Sequence, residues 1–240
     1  MKSNLQLISL TFAALTALSV VRAEPPRVLL HDTFGAVPER GVERRMEGRP
    51  VFAGDGEARG VAFPTAADKL IYPVTGTVNP EEGTVEFWLE PQFDFGDSKN
   101  NESLLRIGFG PEDGMSLYYN GGNQGFVFYA WDKDNPSSRH HSSGMPTFLP
   151  SRKLHWRKGV KHHVAVTWQR DVQRIYLDGE KDRHSFFEGG VKVASPVSGT
   201  VEVGGGRFRI SEIRAWDGPR APRNLFKRPE VENASAKTES

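Results

Sequence analysis

Cysteine is absent from all 240 residues. The chain therefore carries no disulfide, no thiolate nucleophile and no cysteine metal site. Charge of one sign is lacking too, since 31 Lys and Arg stand against 30 Asp and Glu, for a net charge of +1. So even a balance gives no electrostatic footprint for nucleic acid or for an anionic membrane surface, and neither is expected as a partner. Helical periodicity is scarce. Beyond the first residues, no apolar run approaches the roughly 20 needed to span a bilayer as a helix.

The first residues have a different character. Lys2 precedes an uncharged, mostly apolar run from Leu7 to Val21, and Val21-Arg22-Ala23 puts small residues at the −3 and −1 positions of a cleavage site. That layout predicts a secretory signal peptide over residues 1–23, with a mature chain opening at Glu24-Pro25-Pro26 in the periplasm or outside the cell. Lys2 and Arg22 leave with it and no acid does, so the net charge moves from +1 to −1.

Short runs rich in Val, Ile, Phe, Tyr and Trp then recur between Gly, Pro, Asn and Asp clusters, which predicts many antiparallel strands. In Thr84 to Leu89, Val85, Phe87 and Leu89 share one face, while Thr84, Glu86 and Trp88 share the other. Ser116 to Tyr119 and Gly125 to Trp131 flank Asn120-Gly121-Gly122-Asn123, a turn suited to positive φ. His163 to Trp168 and Arg174 to Leu177 read as a hairpin, with Asp178-Gly179 as the next tight turn. Thr200 to Val203 and Phe208 to Trp216 are strand-like on either side of Gly204-Gly205-Gly206. Residues 24–223 suit a single sandwich of about a dozen strands, large enough for a core without staples. Asp132 to Leu154 reads as a long loop, and residues 224–240 as a polar, disordered tail.

Three of these stretches together resemble the laminin G-like family of the concanavalin A-like lectin/glucanase kind, in a bacterial exported form. Gly83-Thr84-Val85-Glu86-Phe87-Trp88-Leu89-Glu90-Pro91 is similar to its early core strand. His162-His163-Val164-Ala165-Val166-Thr167 with Arg174-Ile175-Tyr176-Leu177-Asp178-Gly179 resembles its hairpin, and Phe208 to Trp216 its closing strand. The resemblance spans residues 27–220 and implies an all-β, concanavalin A-like jelly-roll sandwich of two antiparallel sheets. The family is known for recognition of glycans, glycoconjugates and other ectodomains, so fold alone leaves function open. This chain departs from the pattern at Lys161, where the family usually has Trp, and at Ser211, where the family often has an acid that binds calcium.

Enzymatic readings find little support. A glycoside hydrolase needs two carboxylates about 5–9.5 Å apart. Glu86 and Glu90 share a strand face, but four residues of strand separate them by about 13 Å. They read as solvated face residues, and no catalytic residue is assigned. Neither His162-His163 nor His140-His141 can chelate a metal from a regular strand, because adjacent residues point to opposite faces. Asp132-Lys133-Asp134-Asn135 has the opening spacing of a calcium loop but lacks its later Gly and Glu. No cofactor is assigned, the metal question is left open, and calcium remains a candidate.

Aromatics are the remaining signal. Sugar sites pair a flat aromatic face with a few fixed polar groups. Trp131 stands at a strand end opening into the long polar loop, so a ligand site is expected from Trp131, Asp132, Asp134 and Asn135, with Tyr119 and Asn120 brought near by the hairpin. Trp88, Trp168, Tyr176 and Trp216 sit inside strands and are expected in the core. The sequence thus points to a non-catalytic module binding a polysaccharide or glycoconjugate. A protein-interaction or envelope-structural domain is the alternative, and a hydrolase stands well behind.

Overall fold

A computed structural model describes residues 24–56, 59–110, 113–132, 148–169, 172–186 and 198–220. Among them are fifteen strands and no α-helix. In chain order these are β1 (Val28–Asp32), β2 (Arg45–Glu47), β3 (Val51–Ala53), β4 (Gly60–Ala62), β5 (Lys69–Pro73), β6 (Glu82–Pro91), β7 (Glu102–Gly108) and β8 (Asp113–Asn120). They continue as β9 (Gly125–Asp132), β10 (Phe148–Pro150), β11 (His162–Gln169), β12 (Val172–Leu177), β13 (Glu180–Phe186), β14 (Thr200–Gly204) and β15 (Phe208–Trp216).

The strands form two antiparallel sheets. The first runs β13-β12-β11-β6-β15-β4-β3, with β1 also paired to β15. The second runs β10-β9-β8-β7-β14-β5-β2. One apolar core lies between them, because alternate residues of each strand point inward. Val85, Phe87 and Leu89 of β6 meet Leu117 and Tyr119 of β8 and Phe126 and Phe128 of β9 in that core. The two faces of β6 are thus those expected from its alternation.

The turns bear out their chemistry with one shift. Asp178 and Gly179 have positive φ and join β12 to β13, and the Asp178 carboxylate also accepts a hydrogen bond from the His163 backbone N–H at 3.0 Å. Gly204 and Gly205 have positive φ where the chain leaves β14 in one sheet for β15 in the other. A Cβ on Gly204 would come within 2.4 Å of the Phe63 ring, so the crossing needs glycine for space as well as for torsion. Between β8 and β9 the positive φ falls on Gln124, one residue beyond the expected turn.

Three expectations need correction. Five strands, β1 to β5, precede the first segment read from sequence, so the count exceeds a dozen. The long loop contains β10, which among the described residues pairs with β9 only; a proline is tolerated at such an edge of a sheet. The tryptophans also divide. Trp168 is in the core with its indole N–H donating to the Asn79 carbonyl, whereas Trp88 is half-buried on the outward face of β6 beside His163. Tyr176 packs with Ala165 in a separate small cluster, and Trp216 is buried on the face shared with Glu86. Residues 1–23 and 221–240, and with them most of the leader and tail readings, lie outside the described residues.

Candidate functional site

Among the described residues, the outward face of the second sheet carries a collection of half-buried aromatics. Along β9, Phe126, Phe128 and Ala130 enter the core, which sends Tyr129 and Trp131 outward. On β8, Met115, Leu117 and Tyr119 are inward, leaving Ser116, Tyr118 and Asn120 outward. Register then sets the neighbours, with Ser116 opposite Tyr129 and Gly114 opposite Trp131. Tyr129 and Trp131 have ring centroids 5.6 Å apart, and Tyr118 and Tyr129 meet edge-on at 5.9 Å. The three rings form a continuous run.

Polar groups flank this run. Arg106 of β7 lies opposite Ser116, and its guanidinium sits over the Trp131 ring at 5.2 Å. Glu202 of β14 is opposite Arg106 but pairs with Lys69 of β5 at 2.8 Å. Ser116 donates to the Leu105 carbonyl at 3.0 Å. A cleft of about 450 Å³ opens among Tyr118, Tyr129, Arg106, Ser116, Lys69 and Glu202. Burial pushes the Tyr118 phenol above the ordinary tyrosine value, opposed by its hydrogen bond with Asn120.

Of the expected site residues, Trp131, Tyr119 and Asn120 do not gather as a group. Trp131 is outward and half-buried beside the cleft. Tyr119 is a correction: it is fully buried, and its hydroxyl donates to the Ser98 carbonyl at 3.4 Å. Strand alternation turns it away from Tyr118, and hairpin register pairs it with Phe126. Asn120 is outward but six residues from Gly114, so the hairpin places it about 20 Å along the strand from Trp131. Asp132 ends β9, and Asp134 and Asn135 lie outside the described residues. Tyr118, Tyr129 and Arg106 were missed. The alternation of β9 itself was their signal, because fixing Phe126 and Phe128 inward sends Tyr129 out with Trp131.

The first sheet's outward face holds a buried charge cluster. One oxygen of Glu86 accepts hydrogen bonds from the Trp216 indole at 3.0 Å and from Arg220 at 2.8 Å, while the other faces His163 Nε2 at 3.2 Å. Glu86 is 3% exposed, so the reading of a solvated residue is corrected. The chain after β15 covers it, with Arg220 stacked over Trp216 at 3.7 Å. Glu90 pairs separately with Arg209 at 3.2 Å. His162 and His163 face apart as expected: His162 stacks on Trp156 at 3.8 Å, and His163 sits against Glu86. Among the described residues, no three His, Asp or Glu side chains are grouped to hold a metal ion.

This architecture agrees with a wider comparison. The model of the concanavalin A-like lectin/glucanases superfamily matches residues 55–224. The chain belongs to that superfamily. Among solved structures, the concanavalin A-like sandwich is similar to domain 4 of an extracellular GH43 arabinanase from Geobacillus stearothermophilus, solved with arabinotriose. That likeness has a TM-score of 0.64 at 12% identity, covering 84% of this chain and 98% of the other. It is also similar to the receptor-binding domain of a botulinum neurotoxin C/D mosaic serotype, with a TM-score of 0.61 at 15% identity over 82% of this chain. This chain spans about half of that domain's length, 49%. A Trypanosoma rangeli sialidase, solved with the inhibitor DANA, matches with a TM-score of 0.52 at 15% identity, over 78% of this chain and 29% of its own. Identities this low speak for the fold alone. A comparison with curated proteins found no match. Among the described residues, no helix is long and apolar enough to cross a membrane.

Proposed function

We propose that this chain is a non-catalytic carbohydrate-binding module acting outside the cytoplasm, with its site on the outward face of the second sheet. The observation that carries this reading is the run of Tyr118, Tyr129 and Trp131 beside a polar cleft of about 450 Å³. Pyranose and furanose rings have an apolar C–H face that lies against aromatic rings, and hydroxyls that need donors and acceptors at the edges. Arg106, Ser116, Lys69 and Glu202 supply those at the cleft. Among the described residues that line it, Glu202 is the one carboxylate, and Lys69 holds it in an ion pair. Glycoside hydrolysis asks for two carboxylates at a set spacing, so the cleft suits binding better than cleavage. The arabinanase domain solved with arabinotriose shares this fold, which supports the reading. The layout of residues 1–23 supports export.

A glycan array probed with the purified protein, with and without calcium, tests the proposal. Binding to a defined glycan class that Tyr129→Ala weakens is the expected result. Absence of signal on every glycan under both conditions would reject it, and a calcium requirement would point to the segment after Asp132.

A further inference from the structure

Arg106 is directly across the strand pair from Glu202, yet the two form no ion pair among the described residues. Glu202 is held instead by Lys69 at 2.8 Å, on the side away from Arg106. The Arg106 guanidinium turns toward Trp131 and sits over its ring at 5.2 Å. A cation over an aromatic face is attracted by the ring's quadrupole, and this contact engages none of the five N–H donors. Arg106 is also exposed and lines the cleft, so those donors are open to whatever occupies it. Counted together, Lys69, Glu202 and Arg106 leave one surplus positive charge there.

We infer that the cleft takes an acidic saccharide, whose carboxylate lies on Arg106 while its sugar ring packs on the neighbouring aromatics. This rests on the carbohydrate reading given above. A guanidinium presents a planar fork that matches a carboxylate with two parallel hydrogen bonds, a geometry that a neutral hydroxyl cannot return. Trp131 fixes the head of a side chain that would otherwise sweep through solvent, so less rotational freedom is lost when the acid binds. Lys69 is not the anion's partner, because its charge is already matched by Glu202. Uronic acids meet these requirements: each is a pyranose with an apolar face and a carboxylate at its rim.

Binding measured by calorimetry on the full mature chain, its Arg106→Gln and Arg106→Lys variants, and Trp131→Ala tests this. The probes are uronate oligosaccharides from polygalacturonate, alginate and hyaluronan, the same oligosaccharides with carboxyls reduced to alcohols, and dextran sulfate. Arg106 is exposed, so its variants should keep the wild-type melting temperature. The expected result is that at least one uronate binds and its reduced form binds about tenfold more weakly, the effect of losing a charged hydrogen-bond pair. Arg106→Gln should erase that difference, and Arg106→Lys should restore part of it. Equal binding of native and reduced oligosaccharides, unchanged by Arg106→Gln, overturns the acidic-ligand inference and leaves the carbohydrate reading standing. Preference for dextran sulfate over every uronate also overturns it. Failure to bind any saccharide, charged or reduced, overturns both.

Discussion

The indole of Trp131 lies across Gly114 on the neighbouring strand, where an added Cβ would stand 2.5 Å from the ring and 2.3 Å from the Ile107 carbonyl oxygen. The absence of a side chain on β8 is therefore what lets Trp131 lie down over the sheet beneath Arg106. Gly114→Ala should force the ring or the strand to move and cost about 1–3 kcal/mol, the usual range for overpacking. Urea denaturation followed by tryptophan emission measures both the loss and the displaced indole. An unchanged midpoint would show that the ring is not held there.

Glu86 is the second test of the account. Its carboxylate sits between Arg220, Arg214, Trp216 and His163 with almost no exposure. Removing one partner from a buried ionic cluster leaves the others uncompensated, so Glu86→Ala should destabilise by about 3–5 kcal/mol. At temperatures where Glu86→Gln remains folded, it should bind glycan as the wild type does. Wild-type cleavage of a polysaccharide that Glu86→Gln abolishes would make this a catalytic residue instead.

Acid sensitivity follows from Glu212. Burial acts to raise its pKa, but hydrogen bonds from His31 and Arg214, with the Arg214 charge, outweigh that and hold the carboxyl below the ordinary glutamate value. A depressed folded pKa means the stabilisation is complete above the unfolded value of about 4.3 and is lost as pH falls through the lower folded value. Melting temperature should therefore drop from pH 5 towards pH 3, and Glu212→Gln should flatten that slope. A slope identical in the variant would remove Glu212 from the acid response.

Much of the sandwich was legible because its strands alternate cleanly. Val85, Phe87 and Leu89 gave the inward face of β6, and Asp178-Gly179 gave a turn. The strands β1 to β5 were not legible: β2, β3 and β4 have only three residues each, and β2 and β3 are exposed throughout, with no alternation to read. At the site, Trp131 was readable as an aromatic at a strand end. Tyr119 is not beside Trp131, because the hairpin brings the two strands together without making their far ends neighbours. In a hairpin the residue opposite is fixed by distance from the turn, which pairs Trp131 with Gly114 and Tyr119 with Phe126. Arg106 and Glu202 were invisible for another reason: β7 and β14 are separated by many residues and meet only through pairing in the sheet.

Export has its own test. N-terminal sequencing of protein recovered outside the cytoplasm should begin at Glu24, as Val21-Arg22-Ala23 predicts. Recovery of residues 1–23 on the mature chain in a membrane fraction would contradict cleavage.

On the proposed reading the Tyr129 ring, which lines the cleft, meets the sugar's apolar face, while Trp131, lying between Gly114 and Arg106, holds that guanidinium in place beside it. The most direct measurement is the Kd of wild type, Trp131→Ala and Tyr129→Ala for a glycan identified on the array. An aromatic contact is worth about 1 kcal/mol beyond the area it buries, so Tyr129→Ala should bind at least about fivefold more weakly, and Trp131→Ala, which releases Arg106, should weaken binding as well. Both should keep the wild-type fold, because the two side chains lie outside the core. Folded variants with unchanged Kd would contradict the account and move the site to another surface.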